Sequence, residues 1–427
     1  MRFLHTSDWH LGRSLHRADL RAAQAAFLDH LVETTRAEKV DAVLVSGDVY
    51  DRAIPPLDAV ALCEDALMRL RATGARVILI SGNHDSARRL GFSSALIDAA
   101  GVHLRTRMAS LADPVLLADD YGQVAVYGIP YLEPAVGLPA LYAPGGDPLS
   151  TPGKGGQTPL SPPVDHLTAA GAAASRGHQA VLGEAVARVR SDAVSRAAKR
   201  SVVLAHGWVT GGEASESERD IRVGGVGDVP ASLFDGFTYV ALGHLHGQQV
   251  IADHLRYSGS PLPYAFSEAH HKKGTWLVEL GDGGKLAAER VPAPVFKRLS
   301  LLRGRLDDLL ASAQYAGQEG DFLAVTLTDL ARPDAAMDRL RRRFPHVLTL
   351  AFEPEGAAPD QRSYRARVAG HDDLTVAAEF VRHVRNTDPT SGERDLLTTA
   401  FARVAGRAGR GTDGKPDEPE GRPRWMD

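Results

Sequence analysis

The segment VILISGNHD, residues 77–85, is an apolar run that ends in glycine, asparagine, histidine and aspartate, and it indicates the fold most clearly. The same arrangement occurs upstream in FLHTSDWH (3–10) and AVLVSGDVYD (42–51), and downstream in VVLAHG (202–207) and YVALGHLH (239–246). Continuous apolar runs of this length are typical of strands buried on both faces. Each predicted strand therefore ends in residues that can bind a metal ion.

A segment with helical periodicity follows each of the first three predicted strands. Residues 19–38, 57–71 and 87–99 are predicted helices, and residues 123–128 and 275–280 are further predicted strands. The β-α-β-α order predicts a largely parallel sheet covered by helices. Because the carboxyl ends of such strands face one crevice, we expect the five polar clusters to converge.

The rest of the chain predicts smaller parts. Residues 133–177 are rich in Pro, Gly, Ala and Ser and predict a flexible insertion in the first domain, residues 1–290. Residues 291–370 predict a small α/β unit, and residues 371–405 predict helices. The Gly/Pro-rich tail, residues 406–427, is predicted to be disordered.

Composition narrows the functional classes. The 427 residues include 49 basic and 53 acidic side chains, a net charge of -4, so any DNA binding must come from a local site. Cys63 is the single cysteine, which excludes an intramolecular disulfide and a cysteine zinc site, and its helical context predicts core packing. No signal peptide and no run of eighteen apolar residues occurs, which predicts a cytoplasmic protein without a membrane span.

The clusters offer carboxylate, amide and imidazole ligands without thiolate. Such a set suits Mn²⁺, Fe²⁺ or Zn²⁺ and favours the harder ions. Any one cluster could be an ordinary turn, but five in order at strand ends favour a metal site. The ligands are too many for one ion, whereas two ions about 3.5–4 Å apart with a bridging carboxylate would use them all for in-line attack on phosphorus.

The order D-x-H, G-D-x-x-D, G-N-H-D, H-G, G-H-x-H resembles the calcineurin-like metallophosphoesterases. SGDVYDRAIPP, SGNHDSARRL, LGHLHG and YSGSPLPYAFSE are similar to the SbcD-type nuclease subunits of bacterial SbcCD complexes, and LRRRFPHVLTL to their capping domain. The resemblance implies an α/β fold, a β-sandwich flanked by helices with a small capping domain. It also implies two Mn²⁺ ions and DNA as the substrate, cleaved as a double-strand exonuclease and as a single-strand or hairpin endonuclease.

The resemblance also implies roles for residues. The ligands of the first metal would be Asp8, His10, Asp48 and His246, and those of the second would be Asp48, Asn83, His206 and His244. His84 would stabilise or protonate the leaving oxygen, and Asp51 would orient the His84 ring. Four arginines that follow these motifs are candidates for phosphate contacts or for ordinary surface ion pairs: Arg13, Arg52, Arg88 and Arg89.

Two other features have a structural interpretation. Trp9 lies between two ligands and, by strand alternation, should point into the core. Residues 270–273, HHKK, form a basic run that is more typical of a solvated loop than of a binding patch.

The implied partners are DNA ends and hairpins, and an SbcC-type coiled-coil ATPase that uses the ATP. A homodimer within a heterotetramer is a family expectation. The apolar stripe of residues 375–385 could bind the ATPase or pack on its own domain. Two alternatives are a phosphodiesterase acting on a small nucleotide and a non-catalytic scaffold, although the complete ligand set argues against the scaffold.

Overall fold

The computed structural model describes residues 1–134, 137, 141, 177–219, 221, 228–355, 370–385 and 387–408. The chain forms two compact units, Met1–Ser300 and Leu301–Asp427. Most of the predicted insertion, 133–177, and the predicted tail beyond residue 408 lie outside the described residues. The finer domain boundaries stay predictions.

The first unit contains two six-stranded sheets. In spatial order, the first sheet consists of Leu286–Pro292 (β14), Gly274–Leu280 (β13), Arg2–Thr6 (β1), Ala42–Ser46 (β4), Arg76–Ile80 (β5) and Val102–Arg105 (β6). The second consists of Gln249–Ala252 (β11), Leu255–Tyr257 (β12), Tyr239–Gly243 (β10), Ser201–His206 (β9), Gly122–Ile129 (β8) and Val115–Asp119 (β7). Strands β1, β4, β5 and β6 are parallel, as are β8, β9, β10 and β12. Ser14–Leu15 (β2) and Ala18–Asp19 (β3) form a small hairpin.

The two sheets form a sandwich because their strands are apolar on both faces. In β4, Leu44 packs between the sheets with Leu204, whereas Val43 and Val45 pack towards the helices. The α-helices among the described residues of this unit are Arg21–Ala37, Leu57–Ala72, Ala87–Leu90, Ser94–Asp98 and His178–Ser195. Cys63 is buried in the helix-side core, as its context predicts. The α/β sandwich flanked by helices is therefore confirmed.

One predicted helix is wrong in detail. Residues 87–99 form two short helices rather than one, because Ser93 takes a left-handed conformation (φ 56°) between them. A single helix cannot continue through such a residue.

The second unit is built around a three-stranded sheet. Its strands are Leu299–Gly304 (β15), Phe322–Leu327 (β16) and Val347–Phe352 (β17), with helices Leu306–Ala311 and Ala336–Arg343. Leu309, Leu340 and Phe344 are fully buried in its core. Helices Asp373–Arg385 and Ser391–Ala408 follow. Among the helices that the structure describes, none is both long and apolar enough to span a bilayer.

His5 joins the two sheets inside the sandwich. Its Nδ1 accepts a hydrogen bond from the Tyr239 hydroxyl (2.8 Å), and its Nε2–H donates to the Leu242 carbonyl (3.1 Å). The ring is completely buried, and this burial lowers the pKa of His5 to about 3. The folded protein therefore keeps His5 neutral at pH values where the unfolded chain protonates it.

We expect the metal-free protein to lose stability below pH 6.5 in part through His5. Because the unfolded state binds the extra proton, His5 should cost about 2 kcal/mol of unfolding free energy at pH 5 relative to pH 7.5. Urea unfolding in a chelator at both pH values should show a smaller pH dependence for His5→Gln than for wild type. The exposed control His371→Gln should behave as wild type. Equal pH dependence in wild type and His5→Gln would contradict this account.

Candidate metal centre

Five parallel strands lead into the side chains that the sequence singles out. In the first sheet, the turns after β1, β4 and β5 carry Asp8, His10, Asp48, Asn83 and His84. In the second sheet, β9 ends at His206, and the turn after β10 carries His244 and His246. All the predicted ligands except half-buried Asn83 are buried. The structure brings all seven predicted ligands together.

The turns that carry these ligands are locally strained. The N–H groups of Asp8 and His10 donate to the carbonyls of Gly47 and Asp48, which locks the first two turns together (both 3.0 Å). Asp8, His10 and Asp48 all have positive φ angles (52°, 45° and 49°), which non-glycine residues rarely adopt. Strain of this kind persists where the surrounding fold over-determines the backbone, and it is common at functional sites.

Gly82 permits the third turn to approach the centre. A Cβ atom at this position would overlap the Asp48 carboxylate. Glycine is therefore required where the turn after β5 passes the second ligand-bearing turn.

Asp48 occupies the middle of the cluster. Its Oδ2 lies 3.7 Å from His10 Nε2 and 3.6 Å from His206 Nε2. Its Oδ1 accepts a hydrogen bond from the main-chain N–H of His84 (2.8 Å). One carboxylate oxygen thus faces both groups of ligands. This is the position that a bridging carboxylate requires.

The first group comprises Asp8, His10 and His246. Their ligand atoms lie within 4.8 Å of one another, and the Nε2 atoms of the two histidines are 3.0 Å apart. The Asp8 carboxylate also accepts a hydrogen bond from the main-chain N–H of His244 (3.1 Å), and this bond links the two sheets.

The second group provides the clearest test of fit. His206 donates its Nδ1–H to the Ser46 carbonyl (2.8 Å), so its Nε2 carries a lone pair. That Nε2 faces the Asn83 amide oxygen at 2.9 Å, and His244 Nδ1 lies 3.2 Å from the same oxygen. The amide nitrogen of Asn83 is buried and has no hydrogen-bond partner among the described residues. Two acceptors that face each other at this distance fit a cation between them.

Burial has opposite effects on the acids and bases of the cluster. It raises the pKa of Asp48 well above its usual value, with the nearby Asp8 adding to the effect, and lowers the pKa of His10 and of His244 well below theirs. The protein alone therefore disfavours the carboxylate charges here. Divalent cations would reverse this preference for the carboxylates, and neutral imidazoles are the form that binds metals.

His84 lies at the edge of the cluster, and the structure changes the predicted role of Asp51. His84 Nδ1–H donates to the main-chain carbonyl of Asp51 (2.7 Å), not to its carboxylate. The Asp51 carboxylate instead lies 3.7 Å from both Arg13 and Arg52. Burial lowers the pKa of His84 to about 4, so the ring is neutral near pH 7.

Asp85, to which the sequence assigns no catalytic role, ties two of the turns together. Its carboxylate accepts the N–H groups of Val49 (3.1 Å), Tyr50 (3.0 Å) and Gly82 (3.0 Å). Asp85 therefore holds the main chain next to two predicted ligands, Asp48 and Asn83.

The candidate phosphate-contacting arginines differ in their surroundings. Arg13 is largely buried: its guanidinium stacks on Tyr264 and donates to the Ser217 carbonyl (2.8 Å). One of its nitrogens is buried and has no partner within the part of the chain that the structure describes. Arg52, Arg88 and Arg89 are exposed.

Sequence reasoning missed several residues near the centre. Exposed Arg219 donates to the Asn83 carbonyl (3.5 Å). Lys273 is not part of a solvated loop, because its ammonium is buried against Glu268. His270, His271 and Lys272 are exposed, as predicted. Only the quoted segment ending in Ser267 and Glu268 pointed towards this region. Trp9 is fully buried and donates to Thr6 Oγ1 (2.9 Å), which confirms its packing role.

Comparison with known families identifies two domains. Residues 1–150 match the calcineurin-like phosphoesterase family. Residues 295–386 match the SbcD C-terminal domain family, described as the type 5 capsule protein repressor C-terminal domain.

Several solved structures resemble this chain weakly. TT1561 of Thermus thermophilus is 12% identical (TM-score 0.34), with 68% of this chain and 98% of that chain covered. A dimetal phosphatase from Danio rerio is 14% identical (TM-score 0.35), with 69% and 96% covered. GAP50, the anchor in the inner membrane complex of Plasmodium, is 11% identical (TM-score 0.36), with 84% and 98% covered. Scores this low carry no inference about activity.

We expect the protein to bind two Mn²⁺ ions per chain and to be stabilised by them. At a free Mn²⁺ concentration of a hundred times the dissociation constant, each independent site would add about 2.7 kcal/mol to the free energy of unfolding. Calorimetric titration should show two ions for wild type, and Asp48→Asn should weaken both sites because the shared oxygen loses its charge. The exposed control Asp253→Asn should bind as wild type. Wild-type affinity at both sites in Asp48→Asn would contradict a bridging role.

Proposed function

Because the chain pairs a calcineurin-like phosphoesterase domain with an SbcD-type C-terminal domain, as SbcD-type nuclease subunits do, we propose that it is a two-metal DNA nuclease. The proposed substrates are DNA ends and hairpins, cleaved by exonuclease and endonuclease action in DNA repair and recombination. The observation that carries the two-metal part of this proposal is the single Asp48 oxygen that faces imidazoles of both ligand groups.

The ligand groups divide between two sites. Asp8, His10 and His246 would hold one ion, Asn83, His206 and His244 the other, and Asp48 both. When bound, the two ions would supply a nucleophile at neutral pH and neutralise charge on the phosphoryl oxygens. We take Mn²⁺ as the ion, since the ligand set combines oxygen and imidazole nitrogen without sulfur.

The chain's own residues would orient the substrate and manage the leaving group. His84 donates its Nδ1–H to the Asp51 carbonyl, which fixes the ring and places the lone pair on Nε2. A phosphodiester oxygen at Nε2 would raise the pKa of His84 from about 4, so that the ring can carry a proton to the leaving oxygen. Arg13 is preorganised by Tyr264 and Ser217, which suits it to bind a phosphate oxygen.

A partner is part of the proposal because the chain has a net charge of -4. Polyanion binding by such a chain depends on a few local cations, and a DNA-binding partner would supply the rest. Helix Asp373–Arg385 exposes Phe380 and Val384. We propose this surface as the contact with an SbcC-type coiled-coil ATPase, which would use the ATP, in a heterotetramer containing a homodimer of this chain.

We expect Mn²⁺-dependent cleavage of linear and hairpin DNA by wild type together with the ATPase. His84→Gln should lower turnover by about 100-fold or more without weakening metal binding, because the proposed role of His84 is to move a proton and not to hold an ion. Asp48→Asn should abolish cleavage. Cleavage of a small phosphodiester but of no DNA would refute the nuclease proposal in favour of a nucleotide phosphodiesterase.

We also expect Asp51 to matter much less than His84. Because the main-chain carbonyl of Asp51 orients the ring, Asp51→Asn should retain this contact and change turnover only a few-fold. Parallel steady-state assays of the two variants test this. A loss in Asp51→Asn as large as that in His84→Gln would mean that the carboxylate itself participates.

A further inference from the structure

A buried ion pair lies directly behind one of the ligand histidines. Glu268 is almost completely buried, and one of its carboxylate oxygens accepts a hydrogen bond from Lys273. The Lys273 ammonium also donates to the His246 carbonyl (2.8 Å) and to Ser260 Oγ (2.9 Å). Lys273 therefore has three partners and holds Glu268 against the chain that carries His246.

The other Glu268 oxygen faces the imidazole of His246. It lies 3.4 Å from His246 Nδ1, and the Ser217 hydroxyl contacts both groups. A carboxylate at this position accepts a hydrogen bond from the Nδ1–H of His246, directly or through the hydroxyl. The Nε2 lone pair of His246 is then directed towards His10, in the first ligand group.

The four ligand histidines differ in what contacts the ring nitrogen that faces away from the metal site. His206 is supported by the Ser46 carbonyl, which is neutral. In the described part of the chain, His10 Nδ1 and His244 Nε2 are buried without a hydrogen-bond partner. His246 is thus supported by a charged acceptor, which orients the ring and increases the basicity of the nitrogen that binds the ion.

The same contacts reach the candidate phosphate-binding arginine. The Ser217 carbonyl accepts a hydrogen bond from Arg13 (2.8 Å). The Glu218 carboxylate accepts a hydrogen bond from the main-chain N–H of His246 (2.7 Å). Ser217 therefore touches Glu268, His246 and Arg13 at once. A shift of this segment would affect one ligand group more than the other.

We propose that Glu268, held by Lys273, is a positioning residue that sets the affinity of the metal site formed by Asp8, His10 and His246. This inference rests on the proposed two-metal function. It assigns to a buried glutamate control over one ion and not the other. Removal of a carboxylate behind a ligand histidine typically weakens metal binding by about 10–100-fold.

The test is Mn²⁺ titration by calorimetry of wild type and Glu268→Gln. Glutamine preserves the shape and one hydrogen bond but removes the charge. We expect one of the two sites to weaken about 10-fold or more while the other stays within about two-fold of wild type. Glu216→Gln, an exposed change in the same segment, should bind both ions as wild type.

Electron paramagnetic resonance provides a second readout independent of activity. At Mn²⁺ levels that fill both wild-type sites and give a coupled pair, Glu268→Gln should give the signal of isolated Mn²⁺. If Glu268→Gln does not fold, Ser217→Ala removes the bridging hydroxyl without leaving a buried charge and should weaken the same site to a smaller extent.

Wild-type affinities at both sites in the folded Glu268→Gln variant would overturn this inference, as would equal weakening of the two sites. Failure of the proposed two-metal site would look different, because wild type itself would then bind fewer than two ions. Failure of the DNA substrate alone would leave two ions bound to wild type and no cleavage of DNA.

Discussion

The crowding of electron-pair donors around Asp48 is the constraint on which the rest of the structure depends. One carboxylate oxygen faces two imidazole nitrogens, and the amide oxygen of Asn83 faces the lone pair of His206. Lone pairs that face one another at these distances repel unless a proton or a metal cation lies between them. A fold that brings them together without disulfides must obtain the necessary rigidity from its core.

The sandwich supplies that rigidity. Each ligand-bearing turn follows a strand with apolar residues on both faces, so the start of every turn is fixed before the ligands are placed. Hydrogen bonds then join the turns to one another: the main chain of Asp8 to Gly47, and the Asp85 carboxylate to Val49 and Gly82. The positive φ angles at the ligands are the local cost of this arrangement, and the surrounding core maintains them.

The sequence was sufficient to predict much of this arrangement for a physical reason. Doubly buried strands are continuous apolar runs, so their ends, and the polar residues there, can be located from the sequence alone. The break at Ser93 was not predictable, because it depends on one left-handed residue in an otherwise helical pattern. The contact of His84 with the Asp51 carbonyl was also out of reach, because motif spacing does not distinguish main-chain from side-chain acceptors. Burial of Lys273 depends on Glu268 and His246, contacts that no local pattern encodes.

We expect the cluster to hold two ions, one on either side of a single Asp48 oxygen. The most direct measurement is anomalous diffraction from a crystal grown with Mn²⁺. We predict two anomalous peaks about 3.5–4 Å apart. Asp48 Oδ2 should be bound to both, with His10 and His246 at one peak and His206 and His244 at the other. A single peak, or two peaks without a shared Asp48 oxygen, would contradict it.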